Sequence, residues 1–276
     1  HTGVDDEFLK DIDEMDIAAS TQAVVEKLID EVMARAKKLG KSNNLVYQGV
    51  VALNCLYNRN LGKWWADVWI LPNPGDWGSS LGAAAKVYGK HVRWSHPYLG
   101  TNIEGDYPVD DLLNELSTNK IVGVASGRAE FGPRALGNRT LTSDPRGPGV
   151  KDKMNEIKNR QKFRPFAPMI MEEDVHEFFT MPTNVQQSPY MQFVAKCNFP
   201  KDFPAIVHVD GTSRVQTVNK IQHPDLYELL ASFKAETGCP MLVNTSLNIK
   251  GKPMVNDEQD AIDFSKHYDV KVFTSV

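Results

Sequence analysis

The chain has 276 residues, a formal charge of −4 and 41% hydrophobic content, enough apolar mass for two globular domains without covalent staples. Its three cysteines, Cys55, Cys197 and Cys239, have no paired spacing and no CxxC, which argues against a disulfide framework or a cysteine zinc site and fits a reducing, cytoplasmic setting. No run of eighteen apolar residues occurs and the opening HTGVDDEFLKDIDEMD is acidic, so neither a membrane span nor a signal peptide is expected.

In chain order, residues 16–40 place Ala18, Val25, Leu28, Ile29, Val32 and Ala36 at three- and four-residue spacing, with Ser20 near the start and Gly40 after the end; this predicts an amphipathic helix. LVYQGVVALN (45–54) reads as a buried strand whose Gly49 allows close backbone approach. Residues 65–89 run from a strand through the Pro/Gly turn LPNPGDWG into an Ala-rich helix, an order that suits an anion or nucleotide site at the helix start. Residues 93–110 carry turn-formers without a period, and the domain link is expected there, dividing the chain into 1–102 and 103–276.

Beyond the link the pattern predicts a helix at 109–118, a strand at 120–126, an arginine-rich loop, a helix near 150–158, a strand at 166–171 and a helix at 172–179. SPYMQFVAK then reads as a strand and AIVHVDGTSRVQTV as a turn-interrupted strand pair. A helix at 224–238, the strand PMLVNTSLN and a closing helix and strand complete the chain. Helices and strands mix without strict alternation, which predicts an α/β fold with a mixed sheet.

Charge is uneven. Lys120 to Ile170 holds eleven Lys/Arg and four Asp/Glu, net +7, so the remainder carries −11. A basic island in an acidic chain points to an anionic ligand, against the plainer reading of a solvated basic face. Within GRAEFGPRALGNRT (127–140), Arg134 and Arg139 flank ALGN, where glycines let guanidinium groups converge and grip phosphate oxygens in pairs. KNRQKFRPFAP adds Lys158, Arg160 and Arg164, and HVDGTSRVQTV adds Arg214; Asp210 and Gly211 are adequately explained as a turn. NTSLN follows the apolar PMLV, so Asn244, Ser246 and Asn248 emerge where a strand ends and can donate neutral hydrogen bonds.

The stretches GRAEFGPRALGNRTLTSDPR, KNRQKFRPFAP, SPYMQFV, HVDGTSRVQTV and LVNTSLNIKGKPMV resemble, in order over about 170 residues, the C-terminal domain of NodU/TobZ-type O-carbamoyltransferases. The resemblance implies a YrdC-like α/β domain at 103–276 with a mixed twisted sheet, which forms carbamoyl adenylate from carbamoyl phosphate and ATP with Mg2+. Lys158-x-Arg160 and Ser246-x-Asn248 are similar to the K-x-R and S-x-N signatures of that fold. By resemblance Lys158, Arg134, Arg164 and Ser246 are catalytic, and Arg139, Arg160, Arg214, Asn244 and Asn248 bind the nucleotide. Such chemistry is mostly positioning and charge neutralisation and needs no side-chain nucleophile.

QGVVALNCLYNRNL and VWILPNPGDWGSSLGAA are similar to the same family's GGVALN and PGD segments. They imply that residues 1–102 are the C-terminal portion of an actin/hexokinase-like (ASKHA) domain that passes the carbamoyl group to a hydroxyl. Gly49 and Asn54 would then line the adenylate pocket and Asp76 would ligate Fe2+. Two departures stand out: Gln48 replaces the first glycine of GGV, and the family's H-x-x-x-H pair is absent. His91 and His96 are five apart and read as surface or core residues, and one aspartate alone does not hold a transition metal. The expectation is a C-terminal fragment or split subunit whose missing N-terminal half or partner completes the site; a homodimer is a further expectation. The acceptor, whether a small-molecule hydroxyl, a sugar or a modified nucleobase, is left open. Two rival readings share the features: a threonylcarbamoyl-adenylate synthase-like tRNA-modification factor, and a non-catalytic nucleic-acid binder. The second is disfavoured by the few aromatics in the island, Phe131, Phe163 and Phe166.

Overall fold

The computed structural model describes residues 10–118, 120–147 and 149–275; most of the acidic opening segment, residues 1–9, lies outside them. The chain starts with α1 (Glu14–Leu39), capped by the Asp13 side chain accepting from the Met15 N–H. Strands β1 (Asn44–Val46) and β2 (Asp67–Trp69) pair in parallel, with the short α2 (Cys55–Asn58) between them, and α3 (Ser79–Tyr88) follows. Ile29, Met33, Ala52, Tyr57, Leu61, Trp65 and Ile70 bury one apolar cluster, closed by Val185 and Phe193 from later in the chain.

The larger core surrounds a six-stranded mixed sheet in the order β11-β7-β12-β6-β4-β13. Its strands are β4 (Val122–Ala125), β6 (Arg139–Thr142), β7 (Ala167–Met171), β11 (Gln216–Val218), β12 (Met241–Ser246) and β13 (Val272–Thr274). The two outer pairs, β11 with β7 and β13 with β4, are parallel and the inner pairs antiparallel. Every residue of β4, β6 and β7 is buried, as expected of strands covered on both faces. Among the covering helices, α4 (Val109–Leu116), α5 (Val150–Ile157), α7 (Pro224–Thr237) and α8 (Glu258–Tyr268) contribute Leu112, Leu116, Met154, Leu229, Phe233 and Phe264. Proline at N1 and a left-handed Gly238 after the last turn bound α7. The antiparallel pair β3 (Tyr98–Ile103) and β5 (Gly127–Glu130), and a three-stranded sheet of β8 (Phe179–Thr180), β9 (Val194–Cys197) and β10 (Thr212–Arg214), stand beside this core. The four-residue α6 (Val175–Phe178) leads into β8. Among the described residues no helix is long and apolar enough to cross a membrane.

Several expectations are corrected. The strand expected over 45–54 stops at Val46, because Gly49 at φ +111° turns the chain into a 3-10 helix that leaves Val50 and Val51 exposed. On α1 the buried stripe is Ile29 and Met33, while Leu28 and Val32 are 55% and 60% exposed: the helix meets its neighbours along a narrower arc than the spacing suggests. The aperiodic 93–110 stretch contains β3, and the arginine loop opens as its partner β5. In SPYMQFVAK the strand starts only at Val194. Before it, the Ser188 hydroxyl accepts from Phe193 N–H at 3.3 Å and Gln192 Oε1 accepts from Tyr190 N–H at 2.9 Å, bending the backbone with Met191 at φ +57°. The pair expected over 205–218 is β10 and β11, which separate at Val215 into different sheets.

Candidate functional site

The loop between β5 and β6 is held by side chains. Glu130 Oε1 accepts from the N–H groups of Leu136, Asn138 and Arg139 at 2.8, 2.8 and 3.2 Å. Asn244 Nδ2 donates to Ala135 O at 2.9 Å, Gln216 Nε2 and Tyr98 Oη to Leu136 O, and Tyr107 Oη to Gly137 O. His223 Nδ1 accepts from Leu226 N–H, which leaves its Nε2–H to donate to Asn138 Oδ1 at 2.7 Å; burial pushes this imidazole down to about 3, so it is neutral. Each loop carbonyl and amide named here is thus satisfied by a side chain from outside the loop.

This scaffold decides which expected residues are taken up inside the fold and which are left free to face a cavity. Arg139 is 0% exposed, and its guanidinium donates to the carbonyls of Ser126, Asn138, Thr101, Gly127 and Asn256. Asn244, also buried, is committed to Ala135 O and Gln216 Oε1 and accepts from Thr140 Oγ1. Both are wall residues, their side chains committed to internal hydrogen bonds, although the buried Arg139 Nε has no partner among the described residues.

The remaining cations gather. A cavity of about 440 Å3 is lined by Arg160, Arg164, Arg214, His208 and Asp210, together with Cys55 from α2. Arg214 is pushed down to about 10, first by burial and then by the charges of Arg134, Arg160 and Arg164, so these groups sense one another. Arg160 is lowered to about 10 by burial and the neighbouring Arg164; it stacks 4.1 Å over the Phe166 ring and donates to Asn155 Oδ1. Burial also lowers Arg134. Among the described residues five ion pairs occur. They take up Lys120, Arg146 and Lys162 of the basic island, and none involves Arg134, Lys158, Arg160, Arg164 or Arg214. The plain surface reading therefore accounts for part of the island only.

Lys158 and the Ser246-x-Asn248 turn meet across the fold. The Lys158 ammonium, at the end of α5, donates to Ser246 O at 2.7 Å, Asn248 O at 3.1 Å and Asn248 Oδ1 at 2.6 Å, and the Ser246 hydroxyl donates to Asn248 Oδ1 at 2.6 Å. Burial, with Arg160 nearby, pushes Lys158 down to about 8. A second cavity of about 610 Å3 opens beside this turn, lined by Asn73, Trp77, Glu130, Ser246, Asn248 and Lys252.

The residues expected from the first segment stand apart. Gly49 is exposed, Asn54 caps α2 by accepting from Tyr57 N–H and pairs with Gln22, and Asp76 is exposed ahead of α3. Among the described residues no group of three His, Cys, Asp or Glu could hold a metal ion, so iron at Asp76 would need further ligands from outside them. Glu130, Gln216 and His223 were missed as organisers of the loop. The signal for Glu130 was present, an acid inside an otherwise basic stretch; Gln216 and His223 act through contacts 80 and 85 residues away in sequence.

Comparison with known proteins matches residues 113–274 to the family model described as carbamoyltransferase C-terminus and residues 4–85 to carbamoyltransferase N-terminus. The nodulation protein NolO of Bradyrhizobium diazoefficiens is 35% identical over 90% of this chain and 51% of its own length. The 3'-hydroxymethylcephem-O-carbamoyltransferase of Amycolatopsis lactamdurans is 33% identical over 82% and 46%. The crystal structure of full-length HypF in its phosphate- and nucleotide-bound form aligns at a TM-score of 0.44 and 20% identity, covering 60% of this chain and 24% of that one. The chain spans about half the length of the curated relatives it matches. With a family model covering more than half of its residues, the chain belongs to the carbamoyltransferase family.

Proposed function

We propose that this chain is the part of an O-carbamoyltransferase that activates the carbamoyl group, taking up carbamoyl phosphate and ATP with Mg2+ and forming carbamoyl adenylate. In balance, carbamoyl phosphate gives its phosphoryl group to water, an oxygen of the resulting carbamate bonds to the α-phosphorus of ATP, and the bond to pyrophosphate breaks. The carbamoyl group then passes to a hydroxyl of a small molecule, sugar or modified nucleobase, with the remainder of the enzyme or a partner subunit completing that step. In this reading residues 103–276 are YrdC-like, residues 1–102 close an actin/hexokinase-like unit, and the protein works in the cytoplasm.

The observation that carries the reading is the convergence of Arg160, Arg164 and Arg214, without ion-pair partners among the described residues, around one cavity, with Arg134 near enough for its charge to act on Arg214. Bringing so many cations together costs energy unless a polyanion repays it, and two phosphate-bearing substrates do. Guanidinium forks would orient the phosphate oxygens, and Lys158 with Ser246 and Asn248 would fix the neighbouring group. Magnesium, carried on the triphosphate, would neutralise charge as pyrophosphate leaves.

The test is ATP–pyrophosphate exchange dependent on carbamoyl phosphate. Arg214→Ala is expected to lower it about 100-fold or more, the scale of losing one preorganised charge donor. Unchanged exchange in both Arg214→Ala and Lys158→Ala would overturn the assignment.

A further inference from the structure

We propose that Glu130 is a positioning residue that sets Arg134 beside Arg214 at the edge of the anion site through the reach of its side chain, not through its charge. The inference rests on the anion-binding reading of the cavity. Glu130 sits at the end of β5, whose register with Tyr98 of β3 anchors its backbone, and it is 7% exposed. Three N–H groups, of Leu136, Asn138 and Arg139, converge on the single atom Oε1. This is the geometry in which backbone nests hold anions, here filled by the protein's own carboxylate, so the loop is formed before any ligand arrives. Preorganisation of that kind spares the ligand the cost of ordering the loop.

Two observations separate reach from charge. Oε2 is buried with no hydrogen-bond partner, and Glu130 forms no ion pair among the described residues. The nearby Arg139 spends its guanidinium on five carbonyls. What the loop uses is therefore one acceptor oxygen at the right distance, which an amide carbonyl supplies equally. Arg134, in turn, has no hydrogen-bond or ion-pair partner for its own side chain among the described residues and is half-buried. No polar partner among the described residues fixes its guanidinium, so its aim depends on its backbone, which lies two residues before the first N–H that Glu130 holds.

The test is the affinity for pyrophosphate, measured by calorimetry on the whole chain, for Glu130→Gln, Glu130→Asp, Arg134→Ala and the double variant Glu130→Asp/Arg134→Ala. Gln, which keeps the length, is expected to bind within about threefold of the unmodified chain. Asp, which keeps the charge but falls one methylene short, is expected to lose about tenfold or more, in line with the cost of a 1 Å misplacement. Because Glu130 acts through Arg134, the double variant should bind no more weakly than Arg134→Ala, where independent roles would multiply. Wild-type affinity in Asp, equal losses in Gln and Asp, or multiplicative losses in the double variant would overturn the proposal. If the Asp variant fails to fold by near-UV circular dichroism, Gln decides alone: retained binding supports the proposal and lost binding overturns it. A chain that binds pyrophosphate yet shows no carbamoyl-phosphate-dependent exchange would defeat the adenylation reading and leave the positioning role standing. No pyrophosphate binding at all would defeat both.

Discussion

Lys158 concentrates the site's pH response. Its ammonium is held by three acceptors of the Ser246–Asn248 turn, yet burial lowers it from the ordinary 10.5 to about 8. Between those two values the unfolded chain binds the proton more tightly, so folding stability should rise with pH across that window. On the proposed anion-binding reading, pyrophosphate affinity, favoured by the positive charge of the ammonium, should fall over the same interval. Urea melts and pyrophosphate titrations at pH 7 and 9 therefore should move in opposite directions, and Lys158→Met should flatten both responses. Parallel movement in the unmodified chain would contradict the assignment. The pairing of Lys158 with the S-x-N turn was legible from motif resemblance. Its donor geometry was not, because the partners lie 88 and 90 residues away.

At the scale of elements, the loop 131–138 depends on α7 as much as on its own strands. His223 joins them, capping α7 through Leu226 N–H and holding Asn138. His223→Ala removes a cap worth about 1 kcal/mol and leaves Asn138 without its buried partner, so a total loss of about 2–4 kcal/mol is expected. A lower urea midpoint at unchanged m-value would register it. Gly137 shows the same coupling. At φ +128° an added Cβ would lie 2.6 Å from Leu226 Cδ2 and 3.1 Å from His223 Nε2. Gly137→Ala should cost about 2–4 kcal/mol through strain and overpacking, read in the same melt. Periodicity located α7 and the core strands β4 and β12, since long amphipathic and wholly apolar runs declare themselves. It missed β3 and β5, whose short runs of mixed burial carry no period of their own, and β6, whose four buried residues begin inside the arginine motif and are mostly polar.

For the whole molecule, a −4 chain presents a cationic cavity, so long-range repulsion of anions is overcome only at short range. Pyrophosphate affinity should fall steeply as salt rises from about 20 to 200 mM, because screening weakens the attraction of the cluster. A salt-independent affinity would mean that the arginines do not hold the anion. Composition, the uneven charge and the ordered motifs by themselves established a mixed α/β chain of the carbamoyltransferase family with a basic island in its second half. Those properties depend on residue type and on order along the chain. Only the tertiary structure decided which polar residues work inward and which outward. Arg134 and Arg139 are five residues apart in one motif, yet one is left without a partner near the cavity while the other is consumed by five carbonyls. That division follows from where β3, β6 and the segment around Asn256 bring their backbone oxygens, and from the rule that a buried charge persists only where neighbours satisfy it.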